Sequence, residues 1–513
     1  MRSLFPIVAT LGLLTALPLN ARAGDFLDTR VTFSLGDDNF RANAGETMVD
    51  SPIFGFGNRP GYDLFFDNLD TQYSGRENLL HLVLYKKLPG FIYGLTTEAA
   101  VVLKYNFSDS RDGALQDDGT YLRIVYDFDR NPEAKRGRKL DVTFFPVSTD
   151  RFRVGYLYDL TWGGARIFPG AYRNMTPGIK ASFNWSSGYA FLGAKTARVL
   201  TNPEEGGGDT SEGRENETFG GALGGFGIDV KKSFRADASA GAFFIGENPR
   251  SGVRGELVQI YGASARVAYY RGMPIGISSD LRLYRNDAEF LESMTRKETY
   301  GPGFHFQISA EGNAIAQTLE DPDRFGSTTL QMAYAGAVSA KIKWRYLRAH
   351  LTGFVRNVPF ILLNVPSFVP YQALSKDVET SPELFVATGA DYYFKSARLT
   401  LGLMLGLQIP AEVTTQLTVE SGMSEFNLGQ RTLVIRDEGD FSIMPEGEKP
   451  VPIFAAKVSV KWDLSDAMSL VGMILFQYDN NFTSLVTEAN GTARLSFEDP
   501  IKIGAMLFCQ ARF

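Results

Sequence analysis

Ile501-Lys502-Ile503-Gly504-Ala505-Met506-Leu507-Phe508-Cys509-Gln510-Ala511-Arg512-Phe513 carries an apolar residue at every odd position. Lys502, Gly504, Met506, Phe508, Gln510 and Arg512 alternate with them as a mixed face that ends polar. A period of two belongs to a strand with one apolar side and one wetter side. The pattern is plainest over 397–409, where Leu399, Leu401, Leu403, Leu405, Leu407 and Ile409 share one face. An unbroken outward leucine face is a liability in water. Against hydrocarbon it is what the surroundings require.

The other end of the chain reads as an export signal. Arg2 supplies a positive start, residues 4–19 an apolar run, and Ala21-Arg22-Ala23 a small-x-small cleavage site, so 1–23 is expected to be a cleaved signal peptide. Beyond it no apolar run approaches the roughly 18 residues of a spanning helix. The chain is net negative, at −6. That excludes a basic footprint for nucleic acid. One cysteine allows no intramolecular disulfide.

Alternating segments recur along the chain. Strands are predicted at 27–35, 77–86, 95–106, 119–128, 138–146, 151–159, 177–185, 189–200, 217–229 and 233–245. They continue at 256–270, 274–284, 302–312, 328–343, 346–356, 383–394, 397–409, 451–464, 467–479 and 500–513. Short connections such as 146–150, 186–188, 229–232, 395–396 and 465–466 alternate with long polar ones at 201–216, 313–327, 357–382, 410–450 and 480–499. The stretch 36–76 is long and aromatic, with Tyr62, Phe65, Phe66 and Tyr73, and is expected to be a loop or a plug.

Only helices and closed barrels satisfy every backbone group in a bilayer. An exported chain of many alternating strands without a spanning helix therefore predicts an all-β, antiparallel, up-and-down transmembrane barrel of about 18 strands, within 16–20. Its long loops, 410–450 the largest, would lie outside the cell. The closing strand, ending on Phe513, resembles that of bacterial outer-membrane β-barrels, porins among them. That resemblance implies a C-terminal aromatic signal read by the barrel-assembly machinery, and outer-membrane lipid and lipopolysaccharide as surroundings. The segment from Asp28-Thr29-Arg30 to Tyr85-Lys86-Lys87 faintly resembles barrels of polysaccharide export systems, which implies periplasmic export partners.

With the apolar register in lipid, the opposite register lines the lumen. Its basic members include Arg151, Arg153, Arg282, Lys341, Lys343, Arg348, Arg356 and Arg398, and they outnumber acids such as Glu98, Asp127, Asp141, Asp237, Glu311, Glu383 and Asp391. A basic wall attracts anions. The plainer alternative is that opposite charges pair across strands and stiffen the wall.

Catalysis and metal binding find little support. His81, His305 and His350 are the only histidines. Ser309 stands four residues from His305, too far for a hydrogen bond at about 3.3 Å per residue. No nucleophile, base and orienting group can be named together. Scattered histidines and one cysteine give no zinc spacing. Gly220–Gly227 lacks the Lys-Ser/Thr of a phosphate loop, and glycines in a strand permit bends and close approach instead. The expectation is an outer-membrane channel without catalytic residues or cofactor. A polymer export barrel and a non-conducting envelope scaffold are the alternatives, and no residue demands a trimer.

Overall fold

The computed structural model describes residues 27–37, 39, 41, 79–106, 115–117, 119–129, 137–149, 152–157, 160–164, 176–201, 215–231, 233–248, 252–273, 275, 303–362, 372–421, 424–436, 441–487 and 493–512. The signal peptide at 1–23, nearly all of the plug candidate 36–76 and the body of the predicted strand 274–284 lie outside these residues.

The fold is all-β and antiparallel. After Leu27–Asp37 come Leu79–Pro89, Leu95–Asn106, Tyr121–Asp127, Lys139–Phe145, Gly178–Trp185, Gly188–Thr201, Glu215–Lys231 and Phe234–Glu247. Leu257–Arg271, Phe304–Glu320, Thr328–Trp344, Leu347–Arg356, Glu383–Phe394, Leu399–Ile409, Ile453–Asp463, Met468–Tyr478 and Ile501–Arg512 follow. Each pairs with the one before it, up and down. The short strand Leu115–Asp117 extends the pairing of Leu95–Asn106. Ile501–Arg512 also pairs with Leu27–Asp37, from Arg30 opposite Arg512 to Asp37 opposite Ala505.

Period-two alternation sets the register throughout. Along Leu399–Ile409 the odd positions from Leu401 onward are exposed, Leu403 at 49% and Leu407 at 46%, while Thr400, Met404 and Gln408 are buried. Along Leu257–Arg271, Tyr261, Val267 and Tyr269 are exposed and Ile260, Ser264 and Arg266 buried. One face of the sheet is therefore apolar and open. The other is covered, and it mixes charges with Val83, Phe145, Phe243, Ile260, Phe385 and Phe508, each nearly or fully buried.

Connections at one end of the strands are short. Only Ser186 and Ser187 separate Trp185 from Gly188, and only Arg345 and Tyr346 separate Trp344 from Leu347. Aromatic side chains ring this end on the exposed face. Phe128, Phe183 and Trp185 form one run of contacts, with centroids 6.0 and 6.1 Å apart, and Tyr392 and Phe394 pair at 4.8 Å.

Several expected loops are structured. The stretch 313–327 is mostly strand, since Phe304–Glu320 runs to residue 320 and the next strand begins at Thr328. Asn313 and Gly312 suggest a turn, yet seventeen cross-strand pairs extend the ladder through them. The region 410–450 holds Ala411–Ser421, Ser424–Ile435 and Phe441–Ile443, which with Glu379–Ser381 make a separate four-stranded sheet. The helix Val358–Leu362 packs Val358 and Ile361 against Ala411, Val413 and Ile435 of that sheet. Asn357 starts the helix by accepting the Phe360 amide at 3.1 Å, the role of an N-cap. Thr483–Thr487 and Ala493–Phe497 pair as a hairpin within 480–499. These rim elements are tied together. Asn481 exchanges hydrogen bonds of 2.7 and 2.9 Å with the Val451 backbone, and the Phe482 ring has Arg436 at 3.9 Å and Lys502 at 4.5 Å from its centroid.

Among the described residues of the predicted strand 151–159, none belongs to a wall strand. Val154 makes an isolated bridge to Trp162, and Phe152, Val154, Leu160 and Trp162 are all buried. The alternation of Phe152, Val154 and Tyr156 imitates a strand. What places these residues is a set of contacts with residues far along the chain.

Candidate functional site: the buried face and its inner segment

Many charges of the buried face are paired in register. Arg123 stands opposite Glu98, at 3.1 Å, and also bonds Asp141, while Lys139 faces Asp127 at 3.7 Å. Arg235 faces Asp229 at 2.8 Å, and Arg266 faces Asp237 at 2.9 Å. Arg348 faces Asp391 at 2.7 Å, and Arg356 faces Glu383 at 2.9 Å. Directly opposed unlike charges stabilise a strand pair. Here they also neutralise carboxylates that burial would otherwise penalise.

The second feature is an inner segment, described at 149, 152–157 and 160–164. Its root is held by Lys195 of Gly188–Thr201, whose buried ammonium donates to the carbonyls of Thr149, Phe152 and Gly163 at 2.6–2.7 Å. Its far tip is held by Glu311 of Phe304–Glu320, whose carboxylate accepts the backbone amides of Tyr156 at 2.9 Å and Leu157 at 2.8 Å. Between them Trp162 Nε1 donates to Ser264 Oγ at 2.9 Å, and Ser264 in turn bonds Asn313. The Arg266 guanidinium covers the Tyr156 ring at 3.8 Å. The segment thus spans the buried face from Gly188–Thr201 to Phe304–Glu320.

Glycines make room for it. A Cβ at Gly262 would lie 2.5 Å from the Trp162 indole, and one at Gly193 would lie 2.6 Å from the Phe152 ring. At these two positions the wall offers the segment bare backbone, which lets the rings approach closely.

The residues expected to line a pore fall in different places. Lys341, Lys343, Arg348 and Arg356 are on the buried face, Lys341 opposite His350 and Lys343 opposite both Arg348 and His305. Arg153 is buried but belongs to the inner segment, where its guanidinium donates to Thr161 Oγ1 at 3.0 Å. Arg398 is displaced from the wall. It occupies the turn at 395–398 with φ of 53°, is exposed, and stands 3.8 Å from Asp466, because the strand begins only at Leu399. Arg151, Arg282 and Phe513 lie outside the described residues. Lys195 and Arg266, which organise the site, escaped the sequence reading. Each shares a period-two face with residues of the buried side, Lys195 with Tyr189 and Phe191 and Arg266 with Ser264.

His305 and His350 sit in neighbouring rows of the buried face, and the Ser309 hydroxyl meets Ser339 Oγ at 2.7 Å. Among the described residues no group of three or more His, Cys, Asp or Glu is placed to hold a metal ion.

No family model matches the chain, and no curated protein does. Solved structures do resemble it. The outer membrane protein OpdK of Pseudomonas aeruginosa is 7% identical over 95% of this chain and 98% of its own, with a TM-score of 0.40. OccK11 (OpdR) of the same organism is 10% identical over 95% of each chain, at 0.40. A mutant Rh. blastica porin is 12% identical over 95% of this chain and 99% of its own, at 0.34. The structures it resembles are thus outer-membrane porins, and they single out no subfamily.

Proposed function

We propose that the chain is a bacterial outer-membrane β-barrel channel for hydrophilic solutes. The observation that carries this reading is the ladder between Leu27–Asp37 and Ile501–Arg512. It pairs the first and last strands of the described run, and a ring closed there would leave no edge, the condition a bilayer imposes. Leaving aside Leu115–Asp117, the paired run has eighteen strands among the described residues, and a closed ring of that size is wide enough for an aqueous channel. The exposed leucines then face lipid, and the buried face lines the lumen. The long connections lie outside the cell and the short turns in the periplasm.

Within the lumen the basic residues of the sequence register outnumber the acids, and the cross-strand pairs keep the proposed preference for anions mild. The inner segment narrows the passage. Single-channel recording in a planar bilayer tests both statements. A reversal potential of the anion-selective sign in a salt gradient supports the reading. Cation selectivity overturns the basic lumen, and absence of conductance overturns the channel.

A second reading, a non-conducting scaffold, is favoured by one observation. Val471, Met473, Leu475, Met506 and Phe508 form an apolar cluster on the buried face, at most 5% exposed. A water-filled lumen calls for polar side chains there.

A further inference from the structure

We infer that the short-turn end of the strands binds the phosphate headgroups of anionic phospholipids, and so prefers a leaflet rich in negative lipid. That preference presupposes the membrane reading above and adds to it the lipid chemistry of one leaflet. In a chain whose net charge is −6, this end is basic. Lys86, Lys231, Arg271, Arg345, Lys395 and Arg398 stand exposed where the chain turns between neighbouring strands. Among the described residues of this end the exposed acids are Asp129 and Asp466. Asp129 already accepts two hydrogen bonds from the Arg138 guanidinium, of 2.9 and 2.7 Å, and Asp466 lies 3.8 Å from Arg398. At the opposite end the balance differs, since exposed Glu247, Glu256, Glu379, Glu446 and Glu448 offset Arg254, Lys376 and Lys449.

The cations sit at the edge of the open apolar face. Lys86 follows Leu82 and Leu84 on that face and precedes the exposed Leu88, and Arg271 follows the exposed Val267 and Tyr269. The Arg345 guanidinium lies 5.6 Å from the centre of the exposed Trp344 ring. A long cationic side chain so placed lays its stem on the apolar surface and its charge among headgroups. The hairpin between Leu79–Pro89 and Leu95–Asn106 adds an apolar tip, with Phe91 94% and Tyr93 70% exposed on either side of Ile92. Its turn is held in a frame. The Gly90 amide donates to the Leu95 carbonyl at 2.8 Å, the Leu95 amide to Ile92 at 3.0 Å, and the Asp127 amide to Gly94 at 2.8 Å. A fixed turn that presents three large apolar side chains beside lysines fits an interface with an apolar layer below and negative charge above. The cations are spread over the strands from Leu79–Pro89 to Leu399–Ile409, which suits a ligand that surrounds the rim. A soluble partner would need them gathered in one patch.

The test uses the full chain with Trp162, Trp185 and Trp462 replaced by Phe, reconstituted into phosphatidylcholine vesicles. Phosphatidylglycerol or phosphatidylcholine with brominated acyl chains is added at equal mole fraction, and quenching of Trp344 reads which lipid stands beside Arg345. A preference for phosphatidylglycerol of at least about threefold is expected in about 0.05 M salt, falling towards none in about 0.5 M. Lys86→Gln, Arg271→Gln, Arg345→Gln and Lys395→Gln combined are expected to abolish the preference while both lipids still quench. Equal quenching by the two lipids in the parent protein overturns the inference and leaves the membrane reading standing. No quenching by either overturns the membrane reading as well. A preference that survives high salt or the quadruple variant overturns the assignment to these cations. Binding of soluble polyglutamate to the parent and not to the variant, with no lipid preference, would give the rim to an acidic soluble partner instead.

Discussion

Arg348 and Asp391 stand directly opposite one another in adjacent strands, and the guanidinium gives the carboxylate two hydrogen bonds, of 2.9 and 2.7 Å. The Asp391 side chain is almost fully buried, at 1%, while Arg348 keeps 21% of its exposure. Removing the cation alone leaves a carboxylate without its counter-charge on the covered face. Arg348→Met is therefore expected to cost about 3 kcal/mol, the lower end for breaking a buried pair. Arg348→Met with Asp391→Leu is expected to recover most of it. Urea unfolding of the four members of this cycle checks the statement, and a double variant as unstable as the single one would assign the pair another role.

The exposed leucines supply a second test. Leu403 lies at the centre of Leu399–Ile409 and is 49% exposed. If that face meets water, Leu403→Arg changes little. If it meets the middle of a bilayer, the substitution costs about 2–4 kcal/mol. The second outcome is expected, read from unfolding out of lipid vesicles. Equal stability of the two proteins would remove the lipid-facing assignment.

Most wall strands were legible because their alternation is local. Leu95–Asn106 and Glu383–Phe394 agree with the sequence reading to the residue, and the leucines of Leu399–Ile409 have one face to occupy whatever lies beside them. Register followed too, since one wrong step would turn every leucine of a strand to the covered side. The failures share a physical cause. Phe152, Val154 and Tyr156 alternate like a wall strand, yet their position is set by Lys195, Ser264 and Glu311, residues 43 to 155 positions away in sequence. No window of a dozen residues contains that information. Val413 and Thr415 of the rim sheet were passed over for a similar reason. Their pairing partner, the stretch around Leu433, lies beyond a turn rich in Gly and Ser, and length alone made 410–450 look like a loop.

At the rim, Asp323 offers a pH-dependent contact outside the strands. Its carboxylate accepts the Ser375 hydroxyl at 2.6 Å and the Lys376 amide at 3.1 Å. The Ser375 bond, then the Lys376 amide, hold its pKa below the ordinary carboxylate value. A group whose pKa is depressed in the folded state contributes its stabilisation above the unfolded value and loses it as pH falls through the folded one. The tie between 321–327 and 372–378 is thus expected to be complete at neutral pH and to loosen only below about pH 4. Exchange of the Lys376 amide, compared between wild type and Asp323→Asn at neutral pH, reads the contact directly. Faster exchange in the variant is expected, and equal exchange would show that the carboxylate does not hold the loop.

Two glycines on opposite faces of the wall separate space from backbone. A Cβ at Gly262 would stand 2.5 Å from the Trp162 indole, whereas one at Gly312 would have nothing within 4 Å. Both are strand glycines, so the gain in backbone rigidity from Gly→Ala is similar at each. Only Gly262→Ala has to push a packed ring aside. Overpacking of this kind costs about 1–3 kcal/mol, and here it also strains the 2.9 Å bond from Trp162 Nε1 to Ser264. Gly312→Ala is expected to be neutral or slightly stabilising. Trp162 fluorescence provides the readout in a background where Trp185, Trp344 and Trp462 are replaced by Phe. A red shift in Gly262→Ala, absent from Gly312→Ala, is the expected outcome. If instead Gly262→Ala left both emission and stability unchanged, the inner segment would have to lie farther from the wall than its contacts with Gly262, Ser264 and Lys195 place it.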